Sequence, residues 1–551
     1  APSGDFVTPG SSDSVSVNGD LAINGSTLTI NDTGSFGPGL YRLFDYTDTL
    51  SESHGGLQLA NPDPSYDLQY LAGDKRINLI NTVGTTLNFW NANGLASGTT
   101  QGGGDGTWTA TNHVWTDATG SITGPMIPNP GFAIFAGDAG TVTVSDADGV
   151  VEAESLQFAS DGYVLSGDAL NLTGSEGEIR VGDGSAASSS YVATIQNNNI
   201  SATNGLVKTG QGTLYLASGA AQDWWVREGT LQGDSFRLGG NIVNDGHVLI
   251  DYFRSPEYLG TISGSGSVTW AGESYLTLNN AMTYTGLTRV TSLTVLYLSS
   301  ANIFAGDILL DNGAQITLDG GGQYNGTISG SGTMLLNYAD DVVWTGDHDY
   351  TGVTSLNNGS RLALGAGGNT GSIVGDVRFV GAPGTLEINR ANDYLYDGVI
   401  SGAGNLIKNG AGNYILSADH SMTGNASVNA GGMVVNGAMN GVAFTVNDGG
   451  LLGGSGSLGD TTVLSGGTLA AGNSIGALTI NGNLTFNSGS LLELEVDPTS
   501  TSSDLITVTG QANLAGSVLH VGNDGDDQPF STYTFLSAAG GLNGQFDDVS
   551  S

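Results

Sequence analysis

The 551-residue chain has no cysteine, which excludes a disulfide framework, thiolate zinc sites and cysteine catalysis. A thiol-free chain also crosses an oxidising compartment without cross-linking. Basic residues are scarce: 13 Lys and Arg stand against 52 Asp and Glu, a formal net charge of −39. So acidic a surface repels nucleic acid and anionic lipid, and neither is an expected partner. The charge instead favours solubility of an elongated body whose sheet edges would otherwise stick. No run of 18 apolar residues occurs, so no segment is expected to enter a membrane as a helix, and no secretory leader is evident. The opening Ala1-Pro2-Ser3 is what a mature or excised fragment would show. No apolar stripe of helical period extends over 12 residues, which predicts a chain that is nearly all β. No proline-rich linker or shift in composition divides it into ordinary domains.

What is abundant is glycine, with 90 residues, amid Asn, Ser and Thr, while apolar residues reach 38%. That is enough for a narrow continuous core with polar turns. The stretch Gly398-Val-Ile-Ser-Gly-Ala-Gly-Asn-Leu-Ile-Lys-Asn-Gly410 has counterparts aligned on Ile200, Ile262, Ile328 and Ile400, at spacings of 62, 66 and 72 residues. Six residues on stand Leu206, Val268, Met334 and Leu406. Fourteen on stand Leu214, Leu276, Val342 and Tyr414, and sixteen on Leu216, Leu278, Trp344 and Leu416. Apolar residues two apart mark a strand. Tyr284-Thr-Gly, Tyr350-Thr-Gly and Met422-Thr-Gly follow Ile262, Ile328 and Ile400 by 22 residues, so one coil of about 22 residues returns the chain to its starting side. Short strands, Gly/Asn turns and such a period predict a parallel β-solenoid.

The segments read as follows. Residues 1–84 alternate (Val15, Val17; Leu21, Ile23; Leu28, Ile30) and are expected to form N-terminal coils, interrupted by a loop at Asn61-Pro-Asp-Pro64. Residues 85–144 hold Trp90, Trp108 and Trp115 around Gly102-Gly-Gly-Asp-Gly106, an elaborated coil whose rings are expected to pack over a thin core. The repeats run through 145–450. Residues 451–551 alternate with fewer Gly-x-Gly turns and are expected to cap the solenoid, since an open rung exposes unpaired backbone groups.

Catalytic signals are weak. Gly233-Asp-Ser-Phe236 is the nearest match to a serine nucleophile loop, lacks the following Gly, and falls where the repeats place a turn and strand. The six histidines, His54, His113, His247, His348, His420 and His520, are scattered, and packed or solvated roles are expected for them. Asp146-Ala-Asp-Gly149 and Asn523-Asp-Gly-Asp-Asp527 lack the spacing of an EF-hand or a calcium-binding nonapeptide, so they read as turns. No metal or cofactor is expected. The binding candidates are aromatic: Trp224 and Trp225, which as strand neighbours point to opposite faces; Tyr252, Phe253 and Tyr258 in an irregular stretch; and Trp270, aligned with Lys208 and Lys408 and so expected to face solvent. Aromatic platforms among Asp, Asn and Ser bind sugars or anchor protein interfaces. Trp344 falls on an inner offset and is expected in the core.

Residues Gly466-Gly-Thr-Leu-Ala-Ala-Gly-Asn-Ser-Ile-Gly-Ala-Leu-Thr-Ile480, with Leu491-Leu-Glu-Leu-Glu-Val496, Asp504-Leu-Ile-Thr-Val508 and Tyr533-Thr-Phe535, resemble the autochaperone region of monomeric autotransporter passengers of type V secretion. The core of the match is Gly472-Asn-Ser-Ile-Gly476. The four Ile-centred repeats resemble the autotransporter-associated β-strand repeat, and Trp108 to Val144 is similar to a module found among such repeats. The resemblance implies a right-handed parallel β-helix, here of about 25 coils, carried to a Gram-negative cell surface by a translocator β-barrel that this sequence does not contain. It further implies an adhesin, partnering itself in cell-to-cell association and biofilm, or a host glycan or protein. The alternatives are a β-helix enzyme acting on polysaccharide and a passive stalk for a further N-terminal domain.

Overall fold

The computed structural model describes residues 12–32, 36–37, 39–63, 65–73, 75–81, 83–84, 86–94, 102–120, 122–196, 200–497, 500–521 and 532–550. The helical element among them is one five-residue 3-10 turn, Ala186–Ser190; everything else ordered is strand and turn. The chain divides into two compact units, residues 1–233 with 245–247, and residues 234–244 with 248–551.

In the first unit the parallel ladders run Phe135 to Phe158 to Val181, Val142 to Leu165 to Ile195, and Val151 to Leu170 to Ile200. Each coil therefore lays one strand on each of three faces. The start of this unit departs from that plan. Val15–Val17 pairs parallel with Phe44 to Tyr46, and Leu21–Leu28 parallel with Leu50–Leu59. Gly39–Tyr46 and Tyr66–Leu71, by contrast, both pair antiparallel with Arg76–Asn81. A tight turn after Leu71 sends the chain straight back, and a hairpin follows. Alternation in the sequence is the same in either direction, so it could not distinguish this from a coil.

The second unit carries the repeats at Ile262, Ile328 and Ile400, and the first unit the one at Ile200. Val268, Thr288, Ile308 and Ile328 stack in one ladder and Leu276, Leu296, Ile316 and Met334 in another. From Met433 onward three faces recur again: Met433, Leu452, Leu469, Leu492, Val518 and Val549 on one; Met439, Leu458, Ile480, Val508 and Ala538 on a second; Phe444, Thr461, Leu484, Ala512 and Leu542 on a third. Residues 451–550 thus continue the coil with longer corners. The solenoid has about 18 turns, fewer than the 25 expected. The ladder residues above show why: the repeat coils advance by 20 residues, but Leu484 to Ala512 to Leu542 advances by 28 and then 30, and the antiparallel hairpin of Tyr66–Leu71 with Arg76–Asn81 adds no coil.

Inside, the sequence offsets hold. All twelve residues six, fourteen and sixteen positions after the four repeat isoleucines are buried, each contributing about 1.5–3 kcal/mol on burial. Tyr284 and Tyr350 are buried with them, and their hydroxyls pair with Thr288 Oγ1 and Thr354 Oγ1 four residues on, which is why Tyr-Thr-Gly-x-Thr recurs. The glycine of each Ile-Ser-Gly, at Gly264, Gly330 and Gly402, takes φ of +103°, +98° and +86°. A Cβ there would strike the carbonyl oxygen of Asn244, Leu310 or Phe379 in the coil before, so only glycine fits.

The acidic composition also has a structural origin. At corner after corner an Asp carboxylate accepts a backbone N–H from the next coil: Asp105 from Thr141, Asp161 from Val192, Asp307 from Thr327, Asp376 from Val399, Asp393 from Asn413, Asp419 from Ala438 and Asp460 from Asn483, at 2.6–2.8 Å. Corners break the sheet ladder, and the carboxylate supplies the missing acceptor.

Candidate functional site

The structure separates the six aromatic candidates. Trp224 and Trp225 do point to opposite faces: Trp224 is buried, and Trp225 is 40% exposed on the outer face of Trp224–Val226 in the first unit. Its ring is held. The Arg227 guanidinium lies 4.1 Å above the ring centre, and Asp245 Oδ2 accepts the indole N–H at 3.2 Å. Arg227 is anchored in turn on both oxygens of Glu176, at 2.8 and 2.5 Å. Arg227 covers one face that a stacking partner would use.

In the second unit Tyr252 is 60% exposed, while Phe253, Tyr258 and Trp270 are buried. Tyr258 and Trp270 meet edge to face at 5.4 Å, and Tyr258 Oη donates to Leu238 O. The expectation of a solvent-facing Trp270 is corrected here, and the error lies in its reference residues. Lys208 and Lys408 are themselves buried. Lys208 Nζ donates to the carbonyls of Thr209, Gly210 and Glu228 at 2.7–3.1 Å, and Lys408 Nζ to those of Asn409, Gly410 and Ala430 at 2.8–3.0 Å. Burial pulls the two ammonium groups down to about 7 and about 8, opposed by the nearby carboxylates Glu228 and Asp393. Three carbonyls match three ammonium protons, so a Lys at this offset caps a corner from inside. Trp270 and Leu336 take the same inward offset in the intervening repeats.

Ser235, in the nearest match to a nucleophile loop, has a buried Oγ that accepts from the backbone N–H groups of Arg254 and Ser255. Its neighbour Asp234 accepts from Phe236 and Arg237 N–H and pairs with Arg237 and Arg254. His348 and His420 lie in the core, where Nδ1 of each accepts a backbone N–H, from Ile328 and Ile400 at 3.0 and 3.1 Å. Burial lowers His348 to about 4 and also lowers His420, so both are neutral near pH 7. His113 goes the other way, raised by its bond to Asp67. Among the described residues no three His, Cys, Asp or Glu side chains are placed to hold a metal ion. Asp146 and Asp148 belong to a turn closed by Gly149 N to Asp146 O, and Asn523 to Asp527 lie outside the described residues.

Sequence reasoning missed two concave regions. In the first unit a cavity of about 250 Å³ is lined by Thr109, Trp115, Met126, Asn129, Val150 and Glu152, among others. It sits beside an aromatic core in which Trp90, Trp108, Trp115 and Phe135 meet at 5.1–6.1 Å, the packing expected of the three tryptophans. In the second unit a groove of about 500 Å³ runs beside Gly472-Asn-Ser474 and takes in Glu493, Glu495 and Asp504. Burial, then the neighbouring carboxylates, raise Glu493; burial also raises Asp504, whose oxygens accept from Gly476 and Glu495 N–H at 2.9 and 2.7 Å. No pattern of residue types announced either one, because each gathers residues from separate coils.

Stacked parallel rungs with three-faced coils, corner carboxylates and inward lysine caps define a parallel β-solenoid. No family model matches the chain. It is 34% identical over 395 residues, 68% of its length, to the Adhesin BmaC autotransporter of Brucella suis biovar 1 (strain 1330), and it spans about a tenth of the length of that relative. The chain belongs with the autotransporter passengers. No helix among the described residues is long and apolar enough to cross a membrane.

Proposed function

We propose that the chain is an adhesive passenger, held outside a Gram-negative cell at its surface or after release, and that its work is binding rather than catalysis. The observation that carries this reading is its similarity to a protein named an adhesin over 395 residues. Supporting it, asparagines repeat in register up the outside of the coils, as in the file Asn409, Asn429, Asn447 at the strand ends, linked side chain to side chain at 2.9 and 2.7 Å. Many weak polar contacts repeated along such a face add up when a partner aligns with it. The partner is a second copy on another cell, or a host surface glycan or protein. Cells displaying the chain should settle faster than cells displaying an unrelated solenoid, or attach better to host cells; equal behaviour in both assays would overturn the proposal.

The carboxylate groove favours a second reading, a glycan-cleaving enzyme, because glycoside hydrolysis works with carboxyl groups flanking the bond, and the groove gathers Glu493, Glu495 and Asp504. New reducing ends released from a polysaccharide panel, and lost on Glu493→Gln, would select it.

A further inference from the structure

The cavity beside the tryptophan core is closed enough, and polar enough, to be more than a packing fault. At about 250 Å³ it lies below the ~300–1,000 Å³ of sites for drug-sized ligands, so its occupant is one ring. Glu152 spends one oxygen on Asn171 Nδ2 at 3.0 Å, which leaves a carboxylate with about four acceptor positions far from saturated. Asn129 makes one long bond, Nδ2 to Ala110 O at 3.4 Å. Trp115 and Met126 are buried apolar wall, and Val150 stands 70% exposed at the rim.

No Lys or Arg lines the space, so an anion finds no countercharge. A dry apolar ligand would strand Glu152 and Asn129. What fits is a ring with hydroxyls on its edge and C–H groups on its face. We propose that this cavity holds one neutral sugar unit, a hexose or N-acetylhexosamine, with its hydroxyls donating to Glu152 and bonding Asn129, and its C–H face toward Met126 and Val150. This deepens the glycan arm of the adhesive reading and rests on it. Unliganded, the space takes several waters, at ~30 Å³ each, and the sugar's hydroxyls replace their hydrogen bonds.

The test uses the full chain and methyl glycosides of glucose, galactose, mannose and N-acetylglucosamine, read by saturation-transfer NMR and calorimetry. At least one should bind saturably. Val150→Trp, which narrows the rim from an exposed position, and Glu152→Gln should each weaken it tenfold or more, with unchanged thermal melting showing that both variants fold. Absence of saturable binding by any of the four, or binding that neither variant alters, overturns the proposal. The two readings fail separately: sugar binding by the purified chain without clumping or attachment of displaying cells sinks adhesion, and adhesion without sugar binding sinks the cavity.

Discussion

A residue's role here depends on which way a corner turns it. Lys408 shows this most sharply, since an ammonium inside the coil holds three carbonyls drawn from two coils. Lys408→Met keeps the apolar stem and removes the donors, leaving buried carbonyls unpaired at a cost of about 1–3 kcal/mol. Chemical unfolding should register that loss, whereas removing the exposed Arg378 should cost less than about 0.5 kcal/mol. Gly330→Ala should be worse tolerated than either, because the added methyl meets Leu310 O while φ is already +98°; loss of the folded protein on expression or a drop of several degrees in melting temperature is the expected outcome. His348 supplies the pH signal. Its folded value of about 4 lies below the ordinary 6.5 of an unfolded histidine, so between these the unfolded chain binds the extra proton. Stability is therefore whole above pH 6.5 and falls as pH drops toward 4. Unfolding midpoints at pH 7 and pH 5 should differ, and His348→Gln, which keeps an acceptor for Ile328 N–H, should shrink that difference.

Among elements, the repeat strands were legible and the corners were not. Offsets of six, fourteen and sixteen residues located core positions in all four repeats, because strand alternation is a local rule that every coil obeys. The offset of eight was misread, since lysine usually marks a solvent face and nothing in one sequence reveals three carbonyls waiting inside. That one of Trp224 and Trp225 faces outward was legible, but not which, nor the Arg227 that covers Trp225 and the Glu176 that holds Arg227, 2 and 49 positions away in the chain. The antiparallel strands Gly39–Tyr46, Tyr66–Leu71 and Arg76–Asn81 alternate as coils do, and strand direction leaves no trace in alternation. The cavity and the carboxylate groove draw on several coils each, so no window of sequence contains them. Cooperativity should follow the same division: in a solenoid each coil leans on its neighbours alone, so Lys208→Met in the first unit and Lys408→Met in the second should add in stability within about 0.5 kcal/mol. A combined loss well above or below the two separate losses would show that the elements are coupled beyond nearest neighbours.

For the whole molecule the decisive quantity is where its few cations go. Eight of the ten arginines, Arg42, Arg76, Arg227, Arg237, Arg254, Arg289, Arg361 and Arg390, are ion-paired within the chain. Two of the three lysines are buried on carbonyls and Lys75 sits over the Tyr46 ring. Among the described residues that leaves Arg180 and Arg378 outside these arrangements, against a net charge of −39. Two such chains have almost nothing to offer each other by direct charge pairing, so homotypic contact depends on weakening their repulsion. Monovalent salt does this by screening, with a Debye length near 10 Å at 0.1 M falling to about 3 Å at 1 M. A divalent cation does more, because one ion bridges carboxylates on facing chains. Sedimentation of the purified chain should therefore show association rising with sodium chloride, and rising further when magnesium or calcium replaces part of the sodium at equal ionic strength. A monomer indifferent to both would count against pairing of like chains and leave a neutral or cationic partner on the host surface as the one its charge admits.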